Sequence, residues 1–100
     1  MDFNKLQEKI VANAERYGKD FDIEIDKEFS LLKLYEEMGE YTQAILIHNK
    51  KSRPEKHLPF EESKAEVAKE LADVFGMLIV NAHVLDIDLL AALKEKWIKD

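Results

Sequence analysis

Two short acidic motifs contain the residues of this sequence best suited to chemistry. They are Glu36-Glu37-Met38-Gly39-Glu40 and Glu70-Leu71-Ala72-Asp73. Each motif places carboxylates three residues apart, and on an α-helix this spacing puts both side chains on one face, about 5–6 Å apart at Cβ. If the two helices lie face to face, four carboxylates converge and repel one another unless a cation compensates them. Oxygen ligands in that number suit Mg²⁺ or Mn²⁺, so the pattern indicates a magnesium-dependent enzyme acting on a phosphorylated substrate.

The second motif belongs to a longer acidic face. Steps of four, four and three residues join Glu62, Glu66, Glu70 and Asp73. Apolar residues then continue the same face, which indicates that it points inward, where unpaired carboxylates are unfavourable. A solvated acidic face is the alternative, and it is the better interpretation of either motif alone. The two motifs together favour a metal site.

Di-iron helical bundles also bind metal between helices, but their ligand spacing is absent here. They use Glu-x-x-His, in which a histidine follows a ligand glutamate by three residues. Ile45 stands three residues before His48, and Val80 stands three residues before His83. The all-carboxylate set therefore favours Mg²⁺ or Mn²⁺ over iron.

Hydrophobic periodicity predicts four helices to position these motifs. They cover about residues 2–17, 26–48, 61–85 and 89–99. Gly18 is predicted to end the first helix, and Asp26 and Asp88 are predicted to cap the second and the fourth. Residues 19–25 are predicted to form an extended connector and residues 49–60 a polar loop. Gly39 is unfavourable inside a helix, which suggests the close approach of another helix or of a ligand.

The composition predicts one all-α domain over residues 1–100 that assembles with copies of itself. The third predicted helix is apolar nearly all round after Asp73, so it needs more cover than three short helices provide. A net charge of −6 opposes binding to nucleic acid polymers and anionic membranes. Without cysteine, disulfides and thiolate metal sites are excluded. The N-terminus lacks a signal peptide core and the apolar run is too short to span a bilayer, so we expect a soluble, cytoplasmic protein.

The acidic motifs and their surroundings resemble the all-α nucleoside triphosphate pyrophosphohydrolases, the MazG-like superfamily. The resemblance covers about residues 29–99. It depends on three segments: Leu-Tyr-Glu-Glu-Met-Gly-Glu-Tyr (34–41), Val-Ala-Lys-Glu-Leu-Ala-Asp-Val-Phe (67–75) and Leu-Asp-Ile-Asp-Leu-Leu-Ala-Ala-Leu (85–93). Both acidic motifs match completely, including the glycine before the last glutamate of the first motif.

The resemblance implies a fold, a reaction and a role for each acidic residue. The fold would be a four-to-five-helix bundle of the MazG-like type. Glu37, Glu40, Glu70 and Asp73 would be the Mg²⁺ ligands, with Mn²⁺ as a possible substitute. The reaction would be hydrolysis of a nucleoside triphosphate between the α and β phosphorus, giving the monophosphate and pyrophosphate. Glu36 would orient or deprotonate the attacking water, although a structural role for Glu36 stays open.

Three further residues are candidates for binding the substrate. In the family, basic residues near the C-terminus contact phosphates, which makes Lys99 the first candidate and Lys96 the second. The alternative is that both lysines only complement the dipole at the end of a helix. Asn81 stands inside an apolar run, where its amide needs partners. It could contact a base or sugar, or it could join two helices.

The sequence therefore predicts a homodimeric or homotetrameric enzyme that removes unwanted or non-standard nucleotides. The other substrates considered are dUTP or dCTP, and phosphoribosyl-ATP. An inactive helical oligomerisation or regulatory module that kept the acidic residues is the alternative from a different class. The intact acids at all five motif positions argue against such a module.

Overall fold

The computed structural model describes residues 1–98 and is built from α-helices. The helices are α1 (Phe3–Phe21), α2 (Lys27–His48), α3 (Phe60–Val84) and α4 (Leu89–Trp97), and a short 3₁₀ turn (Pro54–Lys56) lies between α2 and α3. Residues 1–98 include no strand. The prediction of an all-α helical protein is confirmed, and the bounds of α2 and α3 lie within one residue of those predicted.

Aspartate side chains begin three of the four helices. Asp26 Oδ1 accepts a hydrogen bond from the backbone N–H of Phe29 at 2.8 Å, and Asp88 Oδ1 accepts one from Ala91 at 3.0 Å. Both caps were predicted. Asp2 does the same for α1. Each carboxylate satisfies an N–H group that has no partner within its own helix, so the sequence defines where the helices start.

The predicted end of α1 at Gly18 is wrong, because the helix continues to Phe21. Gly18 is buried, and a Cβ atom there would lie 2.7 Å from the backbone oxygen of Ile23 and 2.9 Å from Ile25 Cγ1. The missing side chain therefore makes room for the connector that folds back against α1. The helix ends instead at Asp22, which takes a left-handed conformation with φ 54°.

All three helices that lead into a connector end in the same way. Asp22, Lys50 and Asp86 have φ values of 54°, 57° and 56°. After each of them, the next N–H donates to a carbonyl five residues earlier, as in the bond from Lys51 to Leu46 at 2.8 Å. This is the Schellman arrangement, which satisfies carbonyls at a helix C-terminus and usually employs glycine.

The described chain divides into two compact units. The first contains residues 1–31 and 78–98, and the second contains residues 32–77. In the first unit, Ile79 is fully buried, and Asn81 Nδ2 on α3 donates to the backbone oxygen of Ser30 on α2 at 2.9 Å. The prediction of one domain over residues 1–100 stays a prediction.

In the second unit, α2 and α3 are joined at the ends that flank the 49–59 connector. His48 Nδ1 and Ser63 Oγ form a hydrogen bond at 2.7 Å, and the Ser63 hydroxyl donates to the backbone oxygen of Phe60. The His48 and Phe60 rings lie 5.1 Å apart. Ser63 is 2% exposed, so this bond is shielded from water and holds the two helix ends together.

Within residues 1–98, no helix on its own is long and apolar enough to cross a membrane. Only α3 and α4 taken together, with a bend of 113° between them, reach the required length and composition.

The space around the glycines predicts opposite effects of alanine at two positions. We expect Gly18→Ala to destabilise the protein by about 1–3 kcal/mol, because its Cβ would collide with the returning connector. A Cβ at Gly76, inside α3, would meet nothing within 4 Å. Gly76→Ala is the matched control and should stabilise by about 0.5–1 kcal/mol through helix propensity. Urea unfolding measures both, and equal stability of the two variants would contradict the proposed role of Gly18.

Candidate metal centre

Four carboxylates from α2 and α3 converge in the second unit. Glu37 and Glu40 lie on α2, and Glu70 and Asp73 lie on α3. Each contributes one oxygen atom, and all four of these oxygens lie within 4.8 Å of one another. The i, i+3 spacing brings each pair onto one helix face, and the packing of the two helices brings the pairs together. We call these four residues the carboxylate cluster.

Burial differs sharply among the four side chains. Glu37 is only 9% exposed, Glu70 is half-buried, and Glu40 and Asp73 are exposed. One oxygen of Glu37 and one of Glu70, the Oε2 atom in each case, are buried without a hydrogen-bond partner. A buried carboxylate oxygen with no partner is strongly unfavourable. These two atoms are therefore consistent with a cluster that could hold a cation.

The pKa values of the two more buried glutamates reflect the same unfavourable burial of carboxylate groups. Burial, followed by the nearby charges of Glu40 and Asp73, raises the pKa of Glu37 from its ordinary 4.5 to about 7. The pKa of Glu70 is also raised, by burial first and then by the same two neighbours. Lys33 lies 3.9 Å from Glu37 Oε1 and lowers the pKa of Glu37, but this effect is smaller than the others.

Glu36, the predicted catalytic residue, does not belong to the carboxylate cluster. Its side chain is 55% exposed and forms an ion pair with Lys33 one turn earlier on α2. Its neighbour Glu37 points into the cluster because successive residues on a helix differ by about 100° around the axis. A role for Glu36 in activating water stays a prediction.

Two of the three predicted substrate-binding residues, Asn81 and Lys96, lie outside the second unit. Asn81 belongs to the first unit, where its amide joins α3 to α2 through Ser30. Lys96 is exposed in the last turn of α4. Lys99 lies outside the described residues. Phosphate or base contacts by these three residues stay predictions.

An open groove of about 740 Å³ adjoins the carboxylate cluster and includes Glu40 and Glu70 in its lining. Its other lining residues are mainly Gln43, Ala44, Ile47, Leu58, Glu62 and Glu66. We call it the acidic groove. Sequence patterns had placed Glu62 and Glu66 on the face that leads to the cluster, but they gave no sign of the contributions of Gln43 and Leu58. Leu58 comes from the connector, whose path no periodicity describes.

Comparisons with known proteins give no information on the chemistry of this site. No protein-family model, curated protein or solved structure matches this chain. Exposed acidic groups are common without a metal ion, so the number of carboxylates alone decides little. The two buried, unpartnered oxygens distinguish this cluster from a solvated acidic face. Four carboxylates on rigid helices can hold a hard divalent cation such as Mg²⁺ or Mn²⁺.

The raised pKa of Glu37 predicts how stability depends on pH without a metal. The unfolded chain releases this proton near pH 4.5, whereas the folded chain holds it until about pH 7. Between these values the folded state binds more protons, so stability should fall as the pH rises through this window. One pKa unit corresponds to about 1.4 kcal/mol, so the loss should be on the order of 2–3 kcal/mol.

Thermal unfolding in EDTA at about pH 5.5 and about pH 7.5 measures this effect. The Glu37→Gln variant should lose most of the dependence, since its amide does not titrate. Added MgCl₂ should stabilise the wild type more at the higher pH, because metal ligands must be deprotonated. Equal pH dependence in the wild type and in Glu37→Gln would contradict the assignment of the shift to Glu37.

Proposed function

We propose that this chain is a Mg²⁺-dependent nucleoside triphosphate pyrophosphohydrolase that acts in removing unwanted nucleotides. The observation that carries the proposal is the carboxylate cluster, with its two buried and unpartnered oxygens. The resemblance of both acidic motifs to the MazG-like superfamily supplies the reaction, since a metal cluster alone does not specify a substrate. We propose Mg²⁺ as the cofactor, with Mn²⁺ as a substitute.

Each group in the proposed site has a physical role in the hydrolysis. Glu37, Glu40, Glu70 and Asp73 would hold the cation, which would supply positive charge to offset the phosphates and the leaving pyrophosphate. A water oxygen forms a new bond to the α phosphorus, and the bond from that phosphorus to the oxygen bridging to the β phosphorus breaks. The products are the nucleoside monophosphate and pyrophosphate.

Glu36 is our candidate for accepting the proton of the attacking water. Its carboxylate lies next to the cluster along α2 and is more than half exposed, so water reaches it. Lys33 forms an ion pair with this carboxylate. A base should affect turnover and leave substrate affinity intact, which separates this role from a structural one.

Two other substrate assignments and one other class of function remain as alternatives. A dUTP- or dCTP-specific enzyme and a phosphoribosyl-ATP pyrophosphatase would use the same carboxylates. An inactive helical oligomerisation or regulatory module would have no need for a carboxylate cluster that destabilises its own fold. The buried charge of Glu37 therefore favours an enzyme over such a module.

The proposal is tested with purified protein, MgCl₂ and a panel of nucleoside triphosphates that includes dUTP, dCTP and phosphoribosyl-ATP. We expect a nucleoside monophosphate and pyrophosphate as products, resolved by anion-exchange chromatography. Release of orthophosphate would reject the proposed cleavage position. No turnover of any nucleotide, together with no Mg²⁺ or Mn²⁺ binding by calorimetry, would exclude the enzyme.

Isosteric amide substitutions test the residue roles. Glu37→Gln and Asp73→Asn should abolish turnover and weaken Mg²⁺ binding while leaving the helical circular dichroism intact. Glu36→Gln should lower kcat by about 10²-fold or more with KM little changed. Glu61→Gln, an exposed acid in the first turn of α3, is the matched control and should retain full activity. Full activity of Glu37→Gln or Asp73→Asn would remove the metal assignment.

We further propose that the chain forms a homo-oligomer through the outer face of the second unit. On α2 this face follows steps of three and four residues through Leu32, Tyr35, Gly39, Thr42 and Leu46. Leu32 and Tyr35 are 60% and 69% exposed. A Cβ at Gly39 would meet nothing within 4 Å, so the close approach predicted for this glycine does not occur within the described chain.

On α3, Leu71 and Phe75 are also exposed, and we propose that they extend this outer face. The large apolar side chains of the face leave on the order of 500 Å² in water, toward the upper end of the range for the largest apolar patch of a typical monomer. A standard interface buries about 800 Å² from each partner, and neighbouring residues can supply the remainder. A second copy presents the same face, so two copies can pair symmetrically, with Gly39 and Thr42 allowing close contact.

Changing the outer face should alter the oligomeric state. We expect Tyr35→Lys to convert the wild-type oligomer to a monomer in size-exclusion chromatography with light scattering, because a charge would be buried at the interface. Phe21→Lys is the matched control, since it removes an exposed aromatic residue of the first unit and should leave the oligomer intact. A monomeric wild type, or an oligomeric Tyr35→Lys variant with native helicity, would refute the proposed surface.

A further inference from the structure

The acidic groove extends from the carboxylate cluster along α2 and α3, and its chemistry bears on which nucleotide the site accepts. Glu40 and Glu70 belong to both the cluster and the groove. A triphosphate held at the cluster therefore has the groove as an adjoining space for its nucleoside. The volume of about 740 Å³ lies within the range of small-molecule sites.

The polar lining of the groove offers mainly hydrogen-bond acceptors. Beyond the two shared glutamates it contains Glu62 and Glu66, and no lysine, arginine or histidine is among its described lining residues. Lys69 Nζ lies 3.8 Å from Glu66 Oε2, but both side chains are at least half exposed, so this ion pair compensates little of the charge. The groove thus repels phosphates and suits a neutral group that donates hydrogen bonds.

Few donors balance these acceptors. Ser63 lines the groove, but its hydroxyl donates to the backbone oxygen of Phe60. The Gln43 side chain contributes an amide, which can donate as well as accept. A carbonyl oxygen placed against Glu62 or Glu66 would therefore face a like partial charge, whereas an amino group would find an acceptor.

The apolar lining of the groove suits the face of a nucleobase. Ala44, Ile47 and Leu58 lie on its walls. Flat aromatic rings gain from contact with such side chains, and polar groups at the edge then select the orientation. A sugar alone would have little need for this apolar lining. A base with amino groups at its edge matches both parts of the groove.

We propose that the acidic groove selects nucleotides whose bases carry an exocyclic amino group, with Glu66 and Glu62 as the specificity-determining residues. This inference depends on the proposed function, because the carboxylate cluster must hold the triphosphate. The groove disfavours the deaminated counterparts, in which a carbonyl oxygen replaces the amino group. Uracil and hypoxanthine nucleotides are then the poorer ligands.

Two matched pairs of nucleotides vary the exocyclic group, and in both pairs the adjacent ring nitrogen changes from an acceptor to an N–H donor as well. Cytidine and uridine triphosphates differ in an amino group against a carbonyl oxygen, and adenosine and inosine triphosphates differ in the same way. Non-hydrolysable α,β-imido analogues of all four, with MgCl₂, allow binding to be measured by calorimetry without turnover. We expect the amino member of each pair to bind about tenfold more tightly, the scale of one hydrogen bond to a charged group.

The Glu66→Gln variant tests the specificity-determining residue. A glutamine amide can donate to a carbonyl oxygen, so the preference should shrink severalfold while the affinity for the carbonyl members improves. Glu61→Gln, whose side chain is not part of the groove lining, should keep the wild-type preference. If Glu66→Gln changes the affinity of both members of a pair equally, the role of Glu66 is refuted.

The outcomes distinguish the proposed selectivity of the acidic groove from the proposed hydrolysis of triphosphates. Equal binding of both members in both pairs overturns the selectivity of the groove, whether or not the protein hydrolyses triphosphates. A clear amino preference with no hydrolysis of the natural triphosphates supports the groove and refutes the proposed reaction. Hydrolysis with an amino preference in kcat/KM supports both.

Discussion

The repulsion among four carboxylates is the constraint on which the second unit depends. Packing of α2 against α3 brings these groups together, and the same packing buries one oxygen each of Glu37 and Glu70 without a partner. Hydrophobic contacts must therefore hold the helices in place against a local electrostatic penalty. Under the proposed function a cation would relieve this penalty, and the four carboxylates would already be assembled when it binds.

The two ends of the α2–α3 pair differ in what acts between the helices. His48 and Ser63 join the helices through a part-buried hydrogen bond next to the connector, whereas the carboxylate cluster lies further along both helices and its charges repel one another. The acidic groove includes Ser63 from the first of these regions and Glu40 and Glu70 from the second in its lining. A ligand in the groove would therefore contact walls that are joined at one end and that carry like charges at the other.

Much of the fold could be predicted from the sequence because it depends on local interactions. The caps at Asp26 and Asp88 follow from side chains that reach only three residues along the chain. Convergence of the two acidic motifs also followed from spacing. The end of α1 was predicted wrongly, because the role of Gly18 is set by residues 23–25 folding back, a contact that helix propensity does not include. The burial of Glu37 and the lining contributed by Leu58 depend on packing between elements, so periodicity alone could not give them.

The helix ends at Asp22, Lys50 and Asp86 have a consequence for how this chain can vary. A side chain in the left-handed region is strained by roughly 1 kcal/mol relative to glycine, and all three connectors begin with such a residue. The direction of each connector is thus imposed by backbone hydrogen bonding against the preference of the residue. Substitutions that relieve this strain would stabilise the folded protein. All three positions lie outside the acidic motifs. Sequence change there could compensate for the electrostatic strain that the carboxylate cluster imposes.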